Sequence, residues 1–290
     1  MVCAMSNVAS AIVDLCQWNG SAWQTDVAIG PGKYESLAAD GIVADQFYGA
    51  KAGGGVDVIR WTGSAWQTVL DQAAGTYTSL TADGVTARHF FGAKPGGSVD
   101  LWHWTGSYWR LFPDRVPGTY SSIAAEGTTS DRFFGAKAGG GVDLCRWTGS
   151  AWQTTNNIGA GTYISLTADG VVADQFYGAK AGGGVDVIRW NGSAWQTHLN
   201  EAPGTYTSLT ADGVTARHFF GTKPGGGVDL MRWTGSIWVT DTDRVPGTYS
   251  SIAAEGTTSD RFFGTVIPEP ATMSLLGIGG LLALVRRRSR

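Results

Sequence analysis

The sequence predicts an all-β fold, a six-bladed propeller of four-stranded blades, with a hydrophobic helix added at the C-terminus. Three observations carry this. A tryptophan motif, "WTGSAWQT" in one copy, recurs with its first tryptophan at Trp18, Trp61, Trp104, Trp147, Trp190 and Trp233, always 43 residues apart. Each repeat divides into four short strand-like segments separated by glycine-bearing turns. The chain also enters and leaves the repeats at complementary phases. Four antiparallel strands in about 40 to 45 residues, repeated, are the signature of a propeller blade.

Residues 77 to 111 show the elements in order. "YTSLTAD" alternates and ends at the turn signal Asp83-Gly84. "ARHFFGAK" is an aromatic strand that stops at Pro95-Gly96-Gly97. "SVDLWHW" is apolar and closes at "TGS", after which "YWRLF" follows. Nowhere before the tail do apolar residues recur at i, i+3, i+4 and i+7, so no helix is expected there.

The first strand is expected to line the central channel, where space is tightest. Its residues are small, as in "TSLTA" and "SSIAA". The third strand is apolar on both faces, as in Val99, Leu101 and Trp102, which suits a strand sandwiched between neighbours. With Gly63-Ser64 at the centre of the turn, Trp61 and Trp66 should face each other, a pair worth about 0.5–1.5 kcal/mol beyond its area. They serve as a hairpin staple and inter-blade filler, with one member left exposed at the rim. Asn19-Gly20-Ser21 and Asn191-Gly192-Ser193 occupy the same turn slot, which accounts for them without glycosylation.

The repeats begin at "VDLCQWNGSAWQT", third and fourth strands, and end at "YSSIAAEGTTSDRFFG", first and second strands. A sixth blade then forms by pairing the last two strands with the first two, which removes exposed sheet edges. Residues 13–265 are assigned to the propeller. Residues 1–12 are irregular, do not match the repeat and lack a basic, apolar leader, so the true start is expected upstream.

A second period lies over the first. "DQFYGAKAGGGVDVIRW" stands at residues 45–61 and again at 174–190, an offset of three repeats. The chain reads as a three-repeat block duplicated once, so identity between the halves reports ancestry as much as constraint.

Composition limits function. The net charge is −3, yet Arg286, Arg287, Arg288 and Arg290 against Glu269 give the tail three positive charges, leaving the remainder at six negative. An acidic body does not suit a phosphate backbone, and no nucleic-acid partner is expected. Three cysteines without a CxxC pair give neither a disulfide framework nor a zinc site, and Cys16 and Cys145 fall in a buried apolar slot. There is no HExxH, GxSxG or phosphate loop, and no histidine has a recurring Ser or Cys partner. An aspartate opens the third strand in all six copies (Asp14, Asp57, Asp100, Asp143, Asp186, Asp229). Catalysis normally needs a unique residue, so six equal copies point to a structural hydrogen bond or to six binding sites. No enzymatic activity, metal or cofactor is expected.

The aromatic strand, glycine turn, "VDLxRW" and "GSxW" together resemble the repeats of bacterial and fungal β-propeller lectins. That resemblance implies sugar sites between adjacent blades, with Trp stacking, Arg and an acidic group. The matching residues are Trp66, Trp152, Trp195 and Trp238; Arg60, Arg146, Arg189 and Arg232; and Asp57, Asp143, Asp186 and Asp229. The acidic residue lies three before the arginine, and Gln17 and His103 replace arginine in two copies.

The tail "VIPEPATMSLLGIGGLLALVRRRSR", residues 266–290, resembles a PEP-CTERM sorting signal. Pro268, Glu269 and Pro270 carry the motif, residues 271–285 form an apolar helix, and Arg286, Arg287 and Arg288 form the stop. The resemblance implies an exported protein of a Gram-negative bacterium, handled by an exosortase-type enzyme, in organisms that often make exopolysaccharide. Fifteen apolar or small residues are short for a span of about 20, but snorkelling arginines extend them. The arginines stay cytoplasmic and place the propeller outside. The expectation is therefore an exported, non-catalytic binding module for glycans or exopolysaccharide, anchored by its tail before processing. The alternative is a structural or adhesive scaffold with no small ligand.

Overall fold

The structure, a computed structural model, describes residues 12–267. Residues 1–11, the sorting-motif residues Pro268, Glu269, Pro270, Arg286, Arg287 and Arg288, and the expected helix at 271–285 lie outside the described residues. Among the described residues no helix is long and apolar enough to cross a membrane.

The chain opens with β1 (Ile12–Trp18) and β2 (Trp23–Pro31). Blade I follows as β3 (Tyr34–Ala39), β4 (Gln46–Lys51), β5 (Val56–Trp61) and β6 (Trp66–Ala73). Blade II is β7 (Ser79–Ala82), β8 (His89–Ala93), β9 (Val99–Trp104) and β10 (Trp109–Val116). Blade III is β11 (Tyr120–Ala125), β12 (Arg132–Lys137), β13 (Val142–Trp147) and β14 (Trp152–Gly159). Blade IV is β15 (Tyr163–Ala168), β16 (Gln175–Lys180), β17 (Val185–Trp190) and β18 (Trp195–Ala202). Blade V is β19 (Ser208–Ala211), β20 (His218–Thr222), β21 (Val228–Trp233) and β22 (Trp238–Val245). The last two strands, β23 (Tyr249–Ala254) and β24 (Arg261–Val266), join the first two as blade VI, in the order β2-β1-β24-β23. Each sheet is antiparallel, and β1 pairs with β24 from Val13↔Thr265 to Gln17↔Arg261. The six-bladed ring and its mixed-terminus closure are as the phase of the repeat predicts.

Strand alternation explains the core. In each second strand the doublet Phe-Phe or Phe-Tyr sends one ring to each side. Phe47 meets Phe263 of blade VI at 4.5 Å, while Tyr48 meets Phe90 of blade II at 4.7 Å. The same relay continues through Phe91–Phe133, Phe134–Phe176, Tyr177–Phe219 and Phe220–Phe262. Blade-to-blade packing is thus a closed belt of aromatic pairs.

A polar ring lies inside that belt. Ser36 Oγ accepts the backbone N–H of Leu80 at 2.9 Å, and Ser79, Ser122, Ser165, Ser208 and Ser251 do the same for Ile123, Leu166, Leu209, Ile252 and Leu37. Each first strand, which lines the channel, is therefore tied to the next through a residue small enough to fit there. At one mouth Gly41, Gly84, Gly127, Gly170, Gly213 and Gly256 approach so closely that a Cβ on each would lie 3.0–3.4 Å from the next glycine's Cα.

The turn readings hold. Trp61 faces Trp66 across the β5–β6 hairpin with ring centroids 5.7 Å apart. Asn19 Oδ1 accepts the N–H groups of Ser21 and Ala22, the Asx-turn role that explains the Asn-Gly-Ser slots.

Candidate functional site

The recurring third-strand aspartates are buried and committed to the blade. Asp57 Oδ2 accepts the Tyr34 hydroxyl at 3.0 Å, and its Oδ1 accepts the Asp71 N–H at 2.8 Å. Lys51 Nζ sits 3.3 Å from the same oxygen. Asp186 and Asp229 repeat this with Tyr163 and Tyr206, Asn200 and Asp243, and Lys180 and Lys223. Asp143 does so with Tyr120 at 3.4 Å, Asn157 and Lys137. The fourth-strand residue that donates its N–H has positive φ, from 52° to 59° in the six blades, and marks a bulge. The aspartate is the strut of that bulge. Burial and the neighbouring carboxylate push the tyrosine hydroxyls well above their ordinary range. In blade VI, Val266 replaces the lysine, and burial raises the Asp14 carboxyl.

Arginine and aspartate three residues apart on one strand point to opposite faces. Asp57 and Arg60 of one strand therefore do not meet in one cleft, and the aspartates, buried and engaged within the blade, drop out of the residues that the lectin resemblance put at a sugar site between blades. Arg60 is exposed and bonds Gln67, and Arg232 pairs with Asp241 at 3.3 Å. Arg146 is also exposed, and Arg189 is half-buried.

The tryptophans divide by position in the motif. Trp66, Trp152, Trp195 and Trp238 are half-buried wedges between blades. Trp66 packs on Phe47 and Phe263, and Trp238 on Tyr177 and Phe219. Of their partners in the pair, Trp61, Trp147 and Trp190 are exposed, at 41%, 37% and 40%, while Trp233 is half-buried.

The structure assembles its clefts across blade junctions instead. The I/II cleft has Gln46, Val58, Arg60 and Gln72 of blade I on one wall and Arg88, Trp104 and Trp109 of blade II on the other. Its volume is about 260 Å³. The IV/V cleft, about 140 Å³, repeats it with Gln175, Val187, Arg189, His198 and Glu201 against Arg217, Trp233 and Trp238. The floor of each is a buried network. Gln46 Nε2 donates to Asp40 and to the Tyr48 hydroxyl, each at 3.1 Å, and Tyr48 donates to Asp40. Burial raises the Tyr48 hydroxyl far above its ordinary value, so it stays protonated.

Sequence reasoning passed over the loop carboxylates Asp40, Asp83, Glu126, Asp169, Asp212 and Glu255. Each accepts the backbone N–H of the loop residue in the next blade: Arg88, Asp131, Asp174, Arg217, Asp260 and Asp45. Their recurrence ahead of the glycine was the available signal.

Those loop residues also decide the charge of each junction. Arg132 pairs with Asp174 at III/IV, and Arg261 with Asp45 at VI/I. At II/III the His89 Nε2 lies 3.6 Å from Asp131, and at V/VI the His218 Nε2 lies 3.6 Å from Asp260. Burial lowers the His89 pKa below its ordinary value. Among the described residues, Asp212, His218 and Asp260 offer ligand atoms within 4.8 Å of one another, a spacing a metal ion could bridge. Asp212 already accepts hydrogen bonds from Thr215, Ser259 and Asp260, which makes it part of the blade contact. Cys16 and Cys145 are buried, and burial pushes the Cys145 thiol up to about 11, away from thiolate chemistry.

Comparison with known proteins places the two parts of the chain. Residues 266–289 match the PEP-CTERM protein-sorting motif. The chain carries that signal, which implies export, surface targeting and processing by an exosortase. No curated protein matches the chain. Among solved structures, the SapL1 lectin in complex with alpha methyl fucoside aligns with TM-score 0.55 and 15% identity, over 81% of this chain and 96% of that one. The β-propeller domain of Myceliophteria thermophila Cps50 (Swd1) aligns with TM-score 0.55 and 11% identity, over 82% and 85%. At these identities the likeness is one of fold.

Proposed function

We propose that this chain is an exported, non-catalytic propeller that binds glycans or exopolysaccharide in clefts between its blades, at the cell surface or in the extracellular matrix of a Gram-negative bacterium. The observation that carries the reading is the I/II cleft, where a tryptophan pair from one blade faces an arginine from the preceding blade. Trp104 and Trp109 stand 5.6 Å apart, giving an amphipathic wall on which a sugar ring can lie. Arg60, Arg88 and Gln72 supply donors that fix the hydroxyls, the combination of apolar wall and few polar groups typical of ligand pockets. The six aspartates are struts, and the one histidine–carboxylate pair, His198 and Glu201 at 3.9 Å, lines IV/V alone and has no counterpart in I/II, which fits a repeated binding site better than a catalytic centre. The C-terminal segment is taken as a helix that holds the chain in the inner membrane until an exosortase acts on it.

Trp104 and Trp233, half-buried, still present ring surface to these clefts, which favours this over a scaffold with no small ligand, because a pure spacer has no need of aromatic rings lining a cleft. A glycan array and a pull-down with the host's own exopolysaccharide test the proposal. Binding that weakens at least tenfold in a Trp104→Ala, Trp233→Ala double variant supports it. Absence of binding to any glycan at high micromolar concentration refutes it and leaves the scaffold reading.

A further inference from the structure

The six junctions are not equivalent, and the difference is one of charge. At III/IV and VI/I an arginine from the second strand is neutralised by the next blade's loop aspartate. At II/III and V/VI a histidine faces that aspartate. At I/II and IV/V the loop residue is instead an arginine, Arg88 or Arg217, and the second-strand residue is a neutral glutamine. Gln46 and Gln175 are tied down by Asp40 and Asp169. Those carboxylates are buried below the cleft and spent on the tyrosine, the glutamine and a loop N–H.

Arg88 and Arg217 therefore line their clefts half-buried, and among the described residues neither guanidinium has an ion pair. A second guanidinium, Arg60 or Arg189, faces across from the neighbouring blade. No carboxylate lines I/II, and IV/V has only Glu201, 3.9 Å from His198. In a body carrying six net negative charges, two clefts stand out for their paired arginines, set against no lining carboxylate in I/II and against Glu201 alone in IV/V. A planar guanidinium presents a donor fork that matches a carboxylate bidentately.

Resting on the glycan-binding reading above, we propose that the I/II and IV/V clefts take a carboxylate-bearing sugar, a uronate unit within a polysaccharide. Its carboxylate meets the two arginines and its ring lies on the tryptophan pair. The two clefts are three blades apart in a ring of six, so they open on opposite sides of the channel. One molecule then holds two polymer strands at once. The remaining acidic surface repels a polyanion elsewhere and confines binding to these clefts.

Titration of the full-length chain with short oligogalacturonate by calorimetry tests this, beside the methyl-esterified oligomer and a neutral galactan oligomer. The expected result is two sites per chain, affinity at least tenfold weaker for the ester, and turbidity when the protein is mixed with long polygalacturonate. Replacing Arg88 and Arg217 together by glutamine should abolish the preference for the free acid, with near-ultraviolet circular dichroism unchanged as the check on folding. Should that variant not fold, the ester comparison on the unaltered chain decides alone. Equal affinity for acid and ester, or a single site, overturns the inference while leaving neutral glycan binding standing. Binding of neither acid nor neutral oligomer overturns both.

Discussion

In each blade the recurring tyrosine ring ahead of or within the first strand closes directly on the glycine of the second strand, and this contact predicts a large effect from one methyl group. A Cβ on Gly92 would lie 2.4 Å from Tyr77 Cδ1, 2.7 Å from Cε1 and 2.9 Å from Cγ. Carbon atoms prefer about 3.5–4.0 Å, so the ring must retreat by about 1 Å. It has little freedom to do so. Its hydroxyl donates to Asp100 Oδ2 at 3.0 Å, accepts Trp102 Nε1 at 2.8 Å and is 3.1 Å from the Ala74 carbonyl. Overpacking costs about 1–3 kcal/mol. Loss of a hydrogen bond to a charged group adds about 1.5–3 kcal/mol. Gly92→Ala is therefore expected to destabilise by about 3–6 kcal/mol. At about 2–4 °C per kcal/mol for a domain near this size, calorimetry should show a Tm lower by about 10–20 °C. A double-mutant cycle with Tyr77→Ala tests the cause, since removing the ring removes the clash and the two losses should not add. A Tm shift under about 2 °C, or strict additivity, would refute the reasoning.

Three further outcomes follow from the same network. Asp100→Ala leaves the Asp114 N–H without an acceptor, while the Tyr77 hydroxyl keeps the Ala74 carbonyl, and should cost about 1–3 kcal/mol in denaturant unfolding for the one orphaned donor. Ser208→Ala orphans the Ile252 N–H beside the channel, and faster amide exchange at Ile252 than in the unaltered chain checks it, with about 1–3 kcal/mol lost. Acidification should weaken the II/III junction through His89, whose burial among Asp83, Asp131 and His103 lowers its pKa from 6.5. Below pH 6.5 the unfolded chain takes up a proton that the folded chain refuses, so stability falls as pH drops until the folded pKa is reached. Asp131, raised by burial, acts in the opposite sense in a lower window above 3.8. Denaturant midpoints across pH 7 to 5 should fall less steeply in His89→Gln.

The ring was legible because its signals are periodic. Tryptophan spacing counted the blades, and the phase of "VDLCQW" and "RFFG" predicted the seam between β1 and β24. The third-strand aspartate was recognisable as structural because it recurs six times. The site was harder to read, for a geometric reason. Sequence proximity grouped Asp57, Arg60 and Trp66, but strand alternation turns Asp57 away from Arg60. The cleft then unites Arg60 with Trp104 and Trp109, more than 40 residues later in the chain. The fourth-strand bulge at Asp71 or Asn157 was also hidden, because nothing in a short polar run marks one residue as left-handed.

The seam has a mechanical consequence. The sorting segment follows directly from β24, and β24 is an interior strand, bonded to β1 on one side and β23 on the other. Tension applied through the tail is loaded onto a strand gripped along both edges, so several hydrogen bonds must shear together instead of opening singly from an edge. The N-terminal hairpin, laid over that strand from the far end of the chain, acts as a clamp on the point of attachment. Force arriving through the segment after Val266 would then free β24 only after both edges of blade VI let go.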